Sequence, residues 1–259
     1  MLKRFLSCLL MLMASDVASA LDYTDIWYIA SESGWGVNVV QSDDFMFITF
    51  FIYGQDKRPT WYTAQLTNNH LGTFTGALFA TTGTYYGTTW NSQDMVVTQV
   101  GTASFQPTSP YTAKLTYALT SPPAAVVVKN IQRQTLTTIA LGGTYFGGQS
   151  GAYSGCSSPA NNGPYTDAFD LQVTQVPSGD VTFQFNYVSG LSCTLSGTLV
   201  QYGQLYTVPT TNYSCSNGLN TNASMSEIKA TSLGIEGRFS APDVGGGCRE
   251  DATFGGPQR

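Results

Sequence analysis

The stretch GWGVNVVQSDDFMFITFFIYGQDKRPTWYTAQL, residues 34–66, decides the fold class. From Gly34 to Gln41 the side chains alternate, with Trp35, Val37 and Val39 on one face and Gly36, Asn38 and Val40 on the other. That is the period of two expected of a pleated strand. Ser42-Asp43-Asp44 supplies turn residues. The run from Phe45 to Tyr53 is apolar on both faces, which predicts an inner strand covered on both sides. Gly54 to Pro59 turns the chain again, and TWYTAQL, residues 60–66, returns as the third strand of a meander.

Outward from this segment the same grammar continues. Strands are expected at 72–80, 96–105, 113–119 and 125–132, and then at 168–175, 181–187, 193–201, 204–207, 224–231 and 234–239, with QYGQ and SLG as turns. No amphipathic helix of a dozen residues emerges. A Gly-small-aromatic-x-Gly motif recurs as GTFTG at 72, GTYYG at 83, GTYFG at 143 and GAYSG at 151, and reads as a Gly-bounded strand with one inward aromatic. The fold class is therefore all-β, built as small antiparallel barrels or sandwiches.

Composition divides the chain. All four tryptophans, Trp27, Trp35, Trp61 and Trp90, precede residue 91, whereas Cys156, Cys193, Cys215 and Cys248 all follow residue 155. Two domains are expected, a Trp-rich unit at 21–141 and a Gly-rich, four-cysteine unit at 142–259, joined near Leu141-Gly142-Gly143. Residues 1–20 read as a secretory signal: Lys3 and Arg4, an apolar run from Phe5 to Met13, and an Ala18-Ser19-Ala20 cleavage site. Cys8 falls inside that run, too early for a lipid-anchored N-terminus. An even cysteine number in an exported chain implies two disulfides, and Cys193–Cys215 with Cys156–Cys248 is the favoured pairing. The first would staple neighbouring strands of a hairpin, the second the two ends of the domain.

Charge and chemistry exclude much. Removing Lys3, Arg4 and Asp16 with the signal takes the formal charge from −5 to −6, so no basic face exists for nucleic acid. No run is long enough for a membrane-spanning helix. The single histidine, His70, lies in the polar turn TNNHLG without a Gly-x-Ser-x-Gly elbow, so neither a serine triad nor a histidine-built metal site can be assembled. Glycine-rich GGTYFGGQSG lacks the strand-loop-helix context of a nucleotide site. No cofactor and no metal are expected.

What remains is carboxylates beside aromatics. Asp25 and Glu32 flank Trp27, with Trp35, Trp61 and Tyr62 close in sequence. Stacking rings beside an acid suit a small-molecule or glycan ligand, and two acids about 5–10 Å apart would suit glycan hydrolysis by Asp25 and Glu32. The structural reading stands beside it: Trp at a strand start fills a core, and Glu32 before Ser33-Gly34 anchors a turn. A closed-barrel meander would also offer a mouth and interior for a ligand, with Trp35 or Trp61 lining it.

The run DIWYIASESGWGVNVVQSDDFMFITFFIYGQDKRPTWYTAQL, residues 25–66, resembles a segment of exported proteobacterial proteins in which Trp, then Glu-Ser-Gly-Trp-Gly, then an aromatic strand and Pro-Thr-Trp are similarly spaced. Trp27, Glu32, Gly34, Trp35, Gly36, Pro59, Thr60 and Trp61 carry the match, while Tyr28-Ile29-Ala30 stands where those relatives show Trp-Asn-Pro. GAYSGC, Cys193, NYSC and GIEGRFSAPDVGGGC resemble the cysteine-bearing Gly-rich domain fused to such segments. That family has no established activity, so the resemblance implies architecture and export rather than mechanism. The function expected is an exported binding or surface-interaction module. A glycan hydrolase and a structural accessory domain are the alternatives.

Overall fold

A computed structural model describes residues 21–120 and 124–259; the expected signal segment lies outside them. Of the described residues 64% are in strands and 3% in helix, and the two helical pieces among them, Ser92–Asp94 and Pro159–Asn161, are single 3-10 turns. Thr is the commonest strand residue, and with Val, Phe and Tyr it packs well on a pleated surface.

The first barrel is an up-and-down meander of β1 (Asp25–Tyr28), β2 (Gly36–Ser42), β3 (Phe45–Tyr53), β4 (Pro59–Asn68), β5 (Phe74–Thr82), β6 (Val96–Pro107), β7 (Thr112–Leu119) and β8 (Ala125–Arg133). It closes because β1 pairs with both β2 and β8, which leaves no free edge. Its interior is filled by Trp27, Val37, Val39, Met46, Ile48, Phe50, Leu66, Phe105 and Leu115. Each such side chain contributes about 1.5–3 kcal/mol on burial. Trp27 meets Phe105 edge to face at 5.1 Å. Because the interior is packed, this barrel offers no lumen to a ligand, contrary to the sequence expectation.

β3 corrects a second expectation. It is not covered on both sides: Met46, Ile48 and Phe50 point inward, while Phe45, Phe47, Phe51 and Tyr53 face outward and are exposed. A run of apolar residues reads the same whether one face or two is buried, and a single closed barrel has only one core.

The second barrel comprises β9 (Gly143–Ser154), β10 (Gly163–Gln175), β11 (Asp180–Tyr187), β12 (Ser192–Thr198), β13 (Val200–Tyr202), β14 (Leu205–Cys215), β15 (Asn220–Thr231), β16 (Gly234–Ala241) and β17 (Arg249–Pro257). The order is β12-β11-β10-β9-β17-β16-β15-β14, and pairing of β12 with β14 closes the ring; the short β13 pairs only with the start of β14. Both disulfides are present, Cys156–Cys248 and Cys193–Cys215. The latter links directly opposed residues of β12 and β14, with β13 intervening in sequence, so it closes the barrel rather than a simple hairpin.

The Gly-bounded motifs at 143 and 151 together form β9, whereas β17 was not expected as a strand, since glycine weakens strand propensity. Here the glycines permit a close approach: a Cβ on Gly147 would sit 2.0 Å from the Gly255 carbonyl oxygen. The Gly-bounded motif holds an inward aromatic at Phe74, Tyr145 and Tyr153, whereas GTYYG is a loop with Tyr85 and Tyr86 exposed. Leu141, placed last in the first domain by the sequence, is buried in the second barrel's core.

The barrels meet end to end. Tyr111 stacks on Tyr202 at 5.0 Å and its hydroxyl accepts from the Glu227 backbone N–H at 2.8 Å. Gly203 sits over Asp25 with φ of +61°, and a Cβ there would lie 2.3 Å from the Asp25 carboxylate. Both disulfides of the second barrel lie towards its other end.

Candidate functional site

The two acids proposed as a catalytic pair are held at opposite ends of the first barrel. Asp25 opens β1 at the end facing the second barrel, and Glu32 lies in the loop beyond the other end of β1. β1 alone separates them by about 10 Å at 3.3 Å per residue. Asp25 is 4% exposed and pairs with Arg133 at 3.1 Å. Arg133 also donates to the carbonyls of Asp22, Thr24 and Pro110 and lies over the Trp27 ring at 5.0 Å. Asp25 is therefore a structural anion, and the hydrolytic pair of Asp25 and Glu32 does not exist in this fold.

Glu32 has a different setting. Its carboxylate accepts from the Trp35 indole N–H at 3.0 Å and from Lys129 at 2.6 Å, and Lys129 also lies over the Trp35 ring at 5.5 Å. The Lys129 hydrogen bond holds its carboxyl below the ordinary value, with the Trp35 N–H adding to the effect. Tyr62 points inward at the same end. It is close enough, with Glu32, to act on the Tyr117 hydroxyl, whose pKa is raised chiefly by burial. Glu32, Trp35 and Tyr62 thus share one barrel mouth, but the acid is already committed to a lysine and an indole.

Trp27 is wholly buried and cannot touch a ligand. Trp61 is 55% exposed and turns outward instead of lining the mouth, directly opposite Phe51 across β3 and β4. Around that pair the outward residues of three strands carry two apolar groups on one face, Val40, Phe45 and Phe47 towards one end and Phe51, Tyr53 and Trp61 towards the other. Between them stand Asn38, Thr49, Thr63, Gln65 and Thr67, none of them charged. A Cβ on Gly36 would meet the Phe51 ring at 2.9 Å, so the glycine of SGWG lets that ring lie flat over β2. Sequence reasoning missed Phe45, Phe47 and Phe51. Their alternation with Met46, Ile48 and Phe50 is present in the sequence, but both sets are apolar.

A second exposed element adjoins the top of the barrel. Beyond Phe79, β5 pairs only with β6, and β6 joins β7 only from Gly101, so the β5–β6 ribbon projects past the wall. Its tip and base expose Tyr85, Tyr86, Trp90, Met95 and Val97.

No helix among the described residues is long and apolar enough to cross a membrane. No protein-family model matches the chain, and no curated protein matches it. Solved structures similar to the chain at low identity include two of transferrin binding protein B. Intact Ap-TbpB with its N and C lobes aligns at 11% identity and a TM-score of 0.32, over 86% of this chain and 66% of that one. A mutant of the vaccine antigen transferrin binding protein B from Haemophilus parasuis Hp5 aligns at 10% identity and 0.32, over 89% and 67%. The chain thus spans about two thirds of the length of these proteins, and a likeness this loose carries no argument about what it does.

Proposed function

We propose that the protein is an exported interaction module whose first barrel docks a partner protein through the outward face of β2, β3 and β4. One observation carries the reading: Phe45, Phe47, Phe51, Tyr53 and Trp61 are 37–55% exposed on one face that holds no charged side chain. Aromatic residues with charge depleted among them are the composition of an interface core. The face is the convex wall of a filled barrel, whereas small-molecule sites are concave, so a protein surface fits it better than a glycan or a small ligand. Two disulfides support an oxidising, extracytoplasmic setting.

The test is a triple variant, Phe47→Lys, Phe51→Lys and Trp61→Lys, beside a control with three lysines on the far wall at Thr102, Thr116 and Asn130 of β6, β7 and β8. Native extracts of the producing cell are separated by size and the protein is detected in each fraction. The reading predicts that the patch variant leaves a larger assembly that the wild type and the control both join. Co-migration of all three would overturn it.

A further inference from the structure

The second barrel places a carboxylate where the first places apolar rings. Of the three charged residues buried among the described ones, Asp25 and Arg133 neutralise one another, but Glu250, 3% exposed on β17, pairs with no described basic side chain. The neighbouring Arg249 points outward and is held by Asp251 at 2.6 and 2.9 Å. The Tyr165 hydroxyl donates to one Glu250 oxygen and the Tyr213 hydroxyl to the other. Gly151 makes room for that reach, since a Cβ there would lie 2.7 Å from the Tyr165 oxygen. Tyr153 stacks on Tyr165 at 4.9 Å, and Gln149 links Tyr165 to Tyr187. Burial pushes the Glu250 carboxyl upward, against the pull of the two tyrosine hydrogen bonds.

This layer lies under an open cavity. About 360 Å³ at the end of the barrel away from the first domain is lined by Glu250, Tyr153 and Tyr213, by Leu191, Leu219 and Val244, and by one cysteine of each disulfide. A carboxylate offers about four acceptor sites, and the tyrosines occupy two. The unused lone pairs, the lack of a counter-ion and the tyrosine rings call for a cation, and rings of this kind attract ammonium groups. No group of three His, Cys, Asp or Glu side chains capable of holding a metal occurs among the described residues, and the apolar walls favour an organic cation over a bare ion. Leucine and valine walls suit an alkyl chain behind the charge, and the disulfides hold the rim in place before binding.

We infer that this mouth binds a primary ammonium group on a short apolar chain, the ammonium donating to Glu250. The ligand chemistry is shared by free alkyl diamines and by lysine side chains. The full mature chain is titrated with n-butylammonium, and with n-butanol as a neutral look-alike, while the amide NMR shifts of Tyr153, Tyr213 and Glu250 are followed. Saturable shifts with the ammonium and none with the alcohol are expected. Glu250→Gln should weaken binding at least about tenfold, the scale of one hydrogen bond to a charged group. Cadaverine and Nα-acetyl-lysine methylamide, run in parallel, assign the source by whichever binds more tightly. Equal response to alcohol and ammonium, no response to either, or unchanged affinity in a folded Glu250→Gln protein would overturn the inference. The alcohol comparison needs no variant, so it decides even if Glu250→Gln does not fold.

Discussion

Arg133→Met decides what Asp25 is for. The substitution keeps the length and apolar stem of the side chain but removes the charge that neutralises Asp25, three donations to the carbonyls of Asp22, Thr24 and Pro110, and the cation over Trp27. Breaking one side of a buried ion pair costs about 3–5 kcal/mol, because the remaining charge is left buried. With a urea dependence of about 2 kcal/mol per molar, the midpoint should fall by roughly 1.5–2.5 M. All four tryptophans lie in the first barrel, so tryptophan fluorescence reports its unfolding alone, while far-ultraviolet circular dichroism reports both barrels. The fluorescence transition should move and leave the second barrel's transition behind. Adding Asp25→Leu removes the orphaned charge, so the double variant should regain most of the loss, to within about 1–2 kcal/mol of wild type. A shift of the single variant below about 1 kcal/mol, within the range of exposed pairs, or strict additivity in the double variant would refute the assignment of Asp25 as a structural anion.

Further outcomes are expected from the same geometry. Replacing Cys156 and Cys248 by Ser opens a loop of 92 residues, and replacing Cys193 and Cys215 opens one of 22. The chain-entropy relation puts these losses near about 4.5 and 3.5 kcal/mol, and both should spare the tryptophan transition. Glu250 has a folded pKa raised above its ordinary 4.5. The folded barrel therefore keeps a proton that the unfolded chain has released, and stability from this group is complete below 4.5 and lost as pH rises through the folded value. Glu250→Gln does not titrate, so in thermal melts the difference between variant and wild type should grow in the variant's favour from pH 4.5 towards neutrality; a difference that does not change with pH contradicts this. At the other barrel, Lys129 and Trp35 hold Glu32 below 4.5, so a Trp35 emission change should titrate below that pH in wild type and vanish in Glu32→Gln. Titration at or above 4.5 would show that the Glu32–Lys129 contact does not persist in solution.

Much of the architecture is legible in the residues. The alternation of Val37 and Val39 against Asn38 and Val40 gives a half-buried strand, and the structure buries the first pair and exposes the second. The cysteine pairing also follows, because Cys193 and Cys215 are close enough in sequence to face each other across neighbouring strands. What local pattern cannot carry is the partner of a residue far along the chain. Arg133 lies 108 residues from Asp25, so Asp25 looked free to act as an acid. In the same way Lys129 claims Glu32 from 97 residues away. β3 is ambiguous for a different reason, since two apolar faces do not say which is inside. Glu250 left a signal that went unused: Glu250, Ala252 and Phe254 alternate with Arg249, Asp251 and Thr253, which places the acid on the inward face of β17.

The most direct test of the first barrel's face as a protein-binding surface is photo-crosslinking in the cells that make the protein. A benzoylphenylalanine is placed at Phe47, on the aromatic face, or at Thr102, exposed on β6 outside it. The account predicts that irradiation joins the Phe47 position to one discrete protein, either a second copy or a different chain, and that the Thr102 position gives none. Absence of any adduct from Phe47, or the same adducts from both positions, would contradict it.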